Sequence, residues 1–151
     1  MTYFLAKTDP ETYSIDDLEK QKTTAWDGVT NPQAVRAISE MRPGDKVFIY
    51  HSGGKSGGGK SGGGQSGGGQ SGVVGLARVV SEPRPDPKNA KSAVADFEFL
   101  ARLDPPVTLA EIKQSKQFDD WALVRQGRLS TMLAPEKFVD WMRKKFPKAK
   151  I

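Results

Sequence analysis

The sequence has no cysteine and a single histidine, His51. The first absence excludes a disulfide framework, a thiolate zinc site, an iron–sulfur cluster and a cysteine nucleophile. The second excludes a multi-histidine metal centre and a two-histidine zinc protease. No apolar run approaches the ~20 residues needed to span a bilayer, and Met1-Thr2-Tyr3-Phe4 begins in strand-like sequence rather than in a signal peptide. The expectation is a soluble, cytoplasmic protein without a membrane partner. Charge is nearly balanced. The 23 Lys and Arg against 18 Asp and Glu leave a net charge of +5, part of it from Lys55 and Lys60 in a glycine-rich stretch. So small a bias permits a polyanionic partner but does not demand one. At 151 residues the chain has the length of one ordinary domain.

Residues 53–72 carry no apolar side chain and repeat Gly-Gly-Gly-Lys-Ser and Gly-Gly-Gly-Gln-Ser blocks. Nothing there offsets the entropy of ordering so much glycine, so the segment reads as a flexible linker, of a regularity that suggests engineering. Strand-like Lys46–Tyr50 and Val73–Val80 flank it. Lengthening a loop costs only ~0.6 kcal/mol per doubling, so these strands can pair across it. The expected organisation is one domain over residues 1–151 with a loop insertion at 53–72. A Walker A match from Gly54 to Ser61, and a G-x-G-x-x-G match from Gly57 to Gly62, fall inside the repeat. Both patterns need a helix N-terminus after the glycines to aim amides at phosphate, and only more Gly and Ser follows. An NTPase is rejected.

The remaining elements are short and mixed. Tyr3–Lys7 reads as a strand, and Ser14 with Asp17 as a capping box opening a helix. Thr23–Trp26 is strand-like and ends at the turn signal Asp27-Gly28, after which Asn31-Pro32 reads as N-cap and first helical residue. Pro83 to Pro87 reads as a surface loop. Ala95, Phe97, Phe99, Ala101 and Leu103 then alternate with polar residues, as in a strand with one buried face. Thr108 and Glu111 form a second capping box, Trp121–Arg125 and Leu129–Leu133 read as strand segments, and Pro135 opens an amphipathic final helix. The fold class expected is α+β, a small mixed β-barrel flanked by short helices.

Catalytic constellations are weak. Asp86, Asp96 and Glu98 lie near strands, but no Glu-x-Lys follows to complete a nuclease arrangement. Ser52 or Ser130 with His51 lacks any nucleophile elbow. Instead, polar and aromatic residues gather at the ends of separate elements: Lys7-Thr8-Asp9-Pro10, Trp26 to Ala34, Tyr50-His51-Ser52, and Arg125 to Ser130. Singly, each has a structural reading. Trp26 suits a core, Asn31 an N-cap, His51 a hydrogen-bonded strand end, and Arg125 or Arg128 a solvated charge.

Their order is more telling. Lys7-x-Asp9-Pro10, Tyr13 to Leu18, Trp26-Asp27-Gly28-Val29-x-Asn31, Gly44-Asp45, Tyr50-His51-Ser52, Val74-Gly75 and Leu123 to Ser130 resemble the EVE domain family from Tyr3 to about Phe146. The resemblance implies a PUA-like fold related to the YTH readers of N6-methyladenine, and a cleft reading modified bases, notably 5-methyl- and 5-hydroxymethylcytosine in DNA. It places Trp26, Val29, Asn31, Tyr50, His51, Ser52, Gln126 and Ser130 as base-binding, and Lys7, Arg125 and Arg128 as phosphate-binding. The sequence departs from the pattern at Thr8-Asp9, Thr30 and Leu133, and in the repeat after Ser52.

The residue types suit the role. Trp26 and Tyr50 supply aromatic faces for stacking, worth ~1–3 kcal/mol per base. Asn31 supplies a donor and an acceptor, with Ser52 or Ser130 completing the pattern. Lys7, Arg125 and Arg128 suit phosphates, and Val29 a methyl group. The expectation is a non-enzymatic, monomeric, nucleic-acid-binding domain without cofactor or metal. An RNA-binding or RNA-modification accessory module, and an enzyme acting on a modified base or nucleotide, remain as alternatives.

Overall fold

The computed structural model describes residues 2–52, 71–149 and 151. Most of the glycine-rich repeat, with its linker and engineering readings, lies outside the described residues. Its C-terminal limit moves, because Gly72 is already the first residue of a strand.

In chain order the elements are β1 (Tyr3–Thr8), α1 (Ile15–Gln21), β2 (Thr23–Trp26), α2 (Pro32–Ser39), β3 (Lys46–His51), β4 (Gly72–Val79), β5 (Arg84–Asp86), β6 (Asn89–Thr108), α3 (Leu109–Ser115), α4 (Ala122–Arg125), β7 (Thr131–Leu133) and α5 (Glu136–Lys145). The local signals account for many boundaries. Ser14 accepts the Asp17 amide while the Asp17 carboxylate accepts the Ser14 amide, so both halves of the capping box are made. Asn31 caps α2, with Pro32 at its first position. At α3 only half the expected box forms: Thr108 accepts the Glu111 amide, but the Glu111 carboxylate pairs with Lys145 of α5.

The strands form a seven-stranded sheet in the order β2-β6-β4-β3-β1-β7, with β5 paired to β6. Tyr50 pairs with Val73 and His51 with Gly72, so β3 and β4 do pair with each other as expected. β1 runs parallel to β3 and antiparallel to β7. The expected barrel is corrected here, because this path is not closed: β2 and β7 stand at its two ends. Helix α2 packs against both β6 and β7, which covers part of the apolar interior without ladder hydrogen bonds.

Other expectations also change. Arg84–Asp86, expected in a loop, pairs with β6; Pro85, lacking an N–H, is tolerated because β5 pairs on one side alone among the described residues. Trp121–Arg125, expected as strand, contains the single helical turn α4, in which the Val124 and Arg125 amides donate to the Trp121 carbonyl. A short apolar run does not distinguish strand from helix by periodicity. What holds the turn is distant: the Trp121 indole N–H donates to the Leu133 carbonyl at 2.8 Å.

One core cluster runs from Phe4 to Met142 and draws on every strand but β5 and every helix. At its C-terminal side Phe138 meets Phe48, Phe118, Trp121 and Trp141, with ring centroids 4.6–5.8 Å apart. On the other side α1 lies directly on β4. A Cβ added to Gly75 would fall 2.3 Å from Ile15 Cδ1, so the helix can pack this closely only because the strand has no side chain there. No helix among the described residues is long and apolar enough to cross a membrane.

Candidate nucleic-acid interface

A cleft of about 620 Å³ opens where the sheet fails to close. Its walls come from the end of β1 (Lys7, Thr8), from β2 (Thr24 to Trp26), from the connection running into Asn31, and from Arg128 and Ser130 ahead of β7. Lys7, Trp26, Val29, Asn31, Arg128 and Ser130, picked out in the sequence, therefore share one cavity. Their convergence follows from the topology. The amide of Lys7 donates to the Ser130 carbonyl at 2.7 Å, which brings the Arg128–Ser130 segment against β1.

The side chains differ in what they have left to offer. One face of the Trp26 indole stacks on Phe97, with centroids 4.9 Å apart and planes at 22°, and the residue is 7 % exposed. Trp26 is thus a core residue with one margin on the cleft. Asn31 Oδ1 accepts the Gln33 amide at 2.8 Å and the Ala34 amide at 3.2 Å. Both lone pairs are engaged by the cap, so this side chain presents only its NH₂ donors to a ligand, in place of the donor and acceptor expected from its type. Lys7 Nζ donates to the Gly127 carbonyl at 2.9 Å and lies 5.4 Å from the centre of the Tyr50 ring. Burial holds its pKa below the ordinary lysine value. Its charge is partly committed to the fold. Arg128 is exposed on the cleft and makes no ion pair among the described residues, which leaves its guanidinium available.

The structure does not bring the other candidates into this cavity. Tyr50 is 2 % exposed, and its ring lies beneath the Lys7 ammonium; burial raises its phenol pKa. A base cannot stack on it without displacing the core. Ser52 donates its amide to the Thr8 carbonyl at 3.0 Å, extending the β1–β3 pairing. Arg125, on α4, faces Asp120 at 3.6 Å, and Gln126 is an exposed residue at the end of that turn.

His51 borders a different cavity, beside Ile15 and Arg102, where its Nε2 accepts the Ile15 amide at 3.0 Å. That bond needs a neutral ring, and burial is the main influence holding its pKa below the usual 6.5, against the opposing pull of Asp16. The unfolded chain therefore binds a proton near pH 6.5 that the folded chain refuses. This contribution to stability is complete above about pH 6.5 and is lost as the pH falls toward the depressed value. Urea midpoints are expected to drop between about pH 7.5 and about pH 5, with a smaller drop in His51→Gln. An equal drop in both proteins would remove His51 as the cause. Asp16, held below the ordinary carboxylate value by its hydrogen bond to Arg102, titrates beneath this window.

Tyr13 and Asp27 are among the cleft residues not singled out as site residues in the sequence. Tyr13 lies edge-on to Trp26, with centroids 6.2 Å apart and planes at 83°, and its hydroxyl donates to Gln21 at 2.7 Å. Asp27 places a carboxylate on the cleft just after Trp26. Its Asp-Gly context reads as a turn signal, and Gly28 does take a positive φ of 79°. A backbone signal at this pair draws attention away from the carboxylate beside it.

The EVE domain profile matches residues 2–145. Thymocyte nuclear protein 1 from Homo sapiens is 29% identical over 143 residues, covering 77% of this chain and 57% of that protein. Its counterpart from Rattus norvegicus is 30% identical over 142 residues, covering 76% and 57%. The chain thus matches little more than half the length of these curated relatives. Among solved structures, a protein of Rhodopseudomonas palustris has a TM-score of 0.78 at 30% identity, covering 95% of this chain and 92% of that one. Human THYN1 protein in complex with 5-methylcytosine containing DNA has a TM-score of 0.78 at 24% identity, covering 98% and 99%. At that identity the likeness is one of fold.

Proposed function

The chain belongs to the EVE domain family, and from that premise we propose that it is a non-catalytic nucleic-acid-binding domain that takes an everted, modified base into the cleft beside Trp26. The base is 5-methyl- or 5-hydroxymethylcytosine, carried in DNA. The supporting observation is the cleft itself. Its volume of about 620 Å³ falls within the ~300–1,000 Å³ usual for small-molecule sites. A base leaving the duplex gives up a few kcal/mol of stacking and pairing, which the cavity must replace. The margins of Trp26 and Tyr13 replace apolar contact. The Asn31 amide donates to a ring nitrogen or carbonyl, both of which cytosine presents as acceptors. Val29 gives the 5-methyl group an apolar neighbour, and Arg128 suits a flanking phosphate. The fold shared with human THYN1, solved with methylcytosine DNA, is consistent with this use.

The test is binding to matched duplexes that differ by one cytosine methyl group, with unlabelled RNA of the same sequence as competitor. The methylated duplex should bind about fourfold more tightly, the worth of one buried methyl group at ~0.8 kcal/mol. Affinity should fall as salt rises, and Arg128→Ala should reduce the salt slope by about one. Equal affinity for both duplexes would overturn the modified-base reading. Preferential competition by RNA would replace it with an RNA-binding role, since the 2′-hydroxyl is what separates the two ligands.

A further inference from the structure

The connection from Asp27 to Thr30 is a thin partition. The same residues, Asp27 through Thr30, line the 620 Å³ cleft on one side and a pocket of about 290 Å³ on the other. No regular element supports them: they lie between the end of β2 and the cap of α2. Gly28, with its φ of 79°, adds a joint that other residues adopt poorly. A wall of this kind would not hold a side chain at a fixed depth unless something anchored it from behind.

The anchor is Ser92. It lies on β6, within the smaller pocket, and is 5 % exposed. Its Oγ donates to the backbone carbonyl of Val29, a partner 63 residues away in sequence. Among the described residues this is the one hydrogen bond to the backbone of residues 27–30. Val29 is itself 8 % exposed, so its carbonyl has little water to turn to if the hydroxyl is removed. The neighbours of Ser92 on β6, Ala93 to Ala95, are buried, and Ala95 is paired with Trp26. The strand that carries the anchor is therefore hydrogen-bonded to the strand that carries the aromatic wall.

We propose that Ser92 is a positioning residue for recognition of the base: by holding the Val29 carbonyl from behind, it fixes how far the Val29 side chain projects into the cleft, and so sets the discrimination for a 5-methyl group. The proposal rests on the base-binding reading given above. Ser92 touches no ligand and acts through Val29 alone. A shift of well under an ångström is enough to matter, because a methyl contact is lost once a gap opens that water cannot fill.

Two variants of equal shape isolate the hydroxyl. Ser92→Thr keeps the donor and Ser92→Val removes it, both with β-branched side chains suited to a strand. The readout is the ratio of affinities for methylated and unmethylated duplexes, which a general loss of stability does not move; urea curves confirm that both variants are folded. The expected result is a ratio near the parental value of about fourfold in Ser92→Thr and near one in Ser92→Val. Adding Val29→Ala should abolish the difference between the two variants. Equal ratios in Ser92→Thr and Ser92→Val, whether both high or both low, would overturn the role of Ser92. A parental protein with no methyl preference would instead overturn the base-binding reading, so the two failures are distinguishable.

Discussion

Replacing Trp26 with alanine is expected to lower the unfolding free energy by about 3–5 kcal/mol and to abolish uptake of the base. The stability loss comes from the stacked contact with Phe97 at 4.9 Å and from the cavity left beneath Tyr13. The binding loss comes from the small margin of the indole that reaches the cleft. The two effects separate in Trp26→Phe, which retains stacking on Phe97 but narrows the cleft wall. That variant should recover most of the stability while binding the methylated duplex more weakly than the parent. Urea denaturation and duplex titration measure the two quantities independently. Full affinity in a folded Trp26→Ala protein would show that the cleft margin of the indole does not contribute to binding.

Phe138→Ala is the counterpart, with a stability loss of similar size and no direct effect at the cleft. Phe138 is fully buried, and its ring meets Phe48, Phe118, Trp121 and Trp141. Truncation removes contacts to all four and should cost about 3–5 kcal/mol, a large share of the ~5–15 kcal/mol usual for a domain. None of these rings lines the cleft. Affinity measured on the folded fraction at low temperature should therefore stay at the parental value. A loss of affinity in that fraction would mean that the C-terminal aromatic cluster and the cleft are mechanically coupled.

The contrast between these residues bears on what was legible beforehand. The capping box at Ser14 and the Asn31-Pro32 start of α2 are local, since donor and acceptor lie within three residues. Local patterns of that kind can be read from the chain directly. The pairing of β3 with β4 was also accessible, because lengthening a connection costs little. α4 and β5 were not. Each is a few residues long, and its form is decided by a distant partner: the Leu133 carbonyl for Trp121, and β6 for Arg84–Asp86.

The same distinction runs through the candidate site. Composition and motif order determined the family and the residue types that can meet a base: indole, amide, hydroxyl and guanidinium. Only the tertiary structure decided which of their groups remain free. The Asn31 oxygen is consumed locally, but Lys7 is held by a carbonyl 120 residues away, His51 by an amide 36 residues away, and Val29 by a hydroxyl 63 residues away. A hydrogen bond satisfies a donor or acceptor wherever its partner comes from. Sequence names the functional groups; the long-range pairing determines which of them are left to bind a ligand.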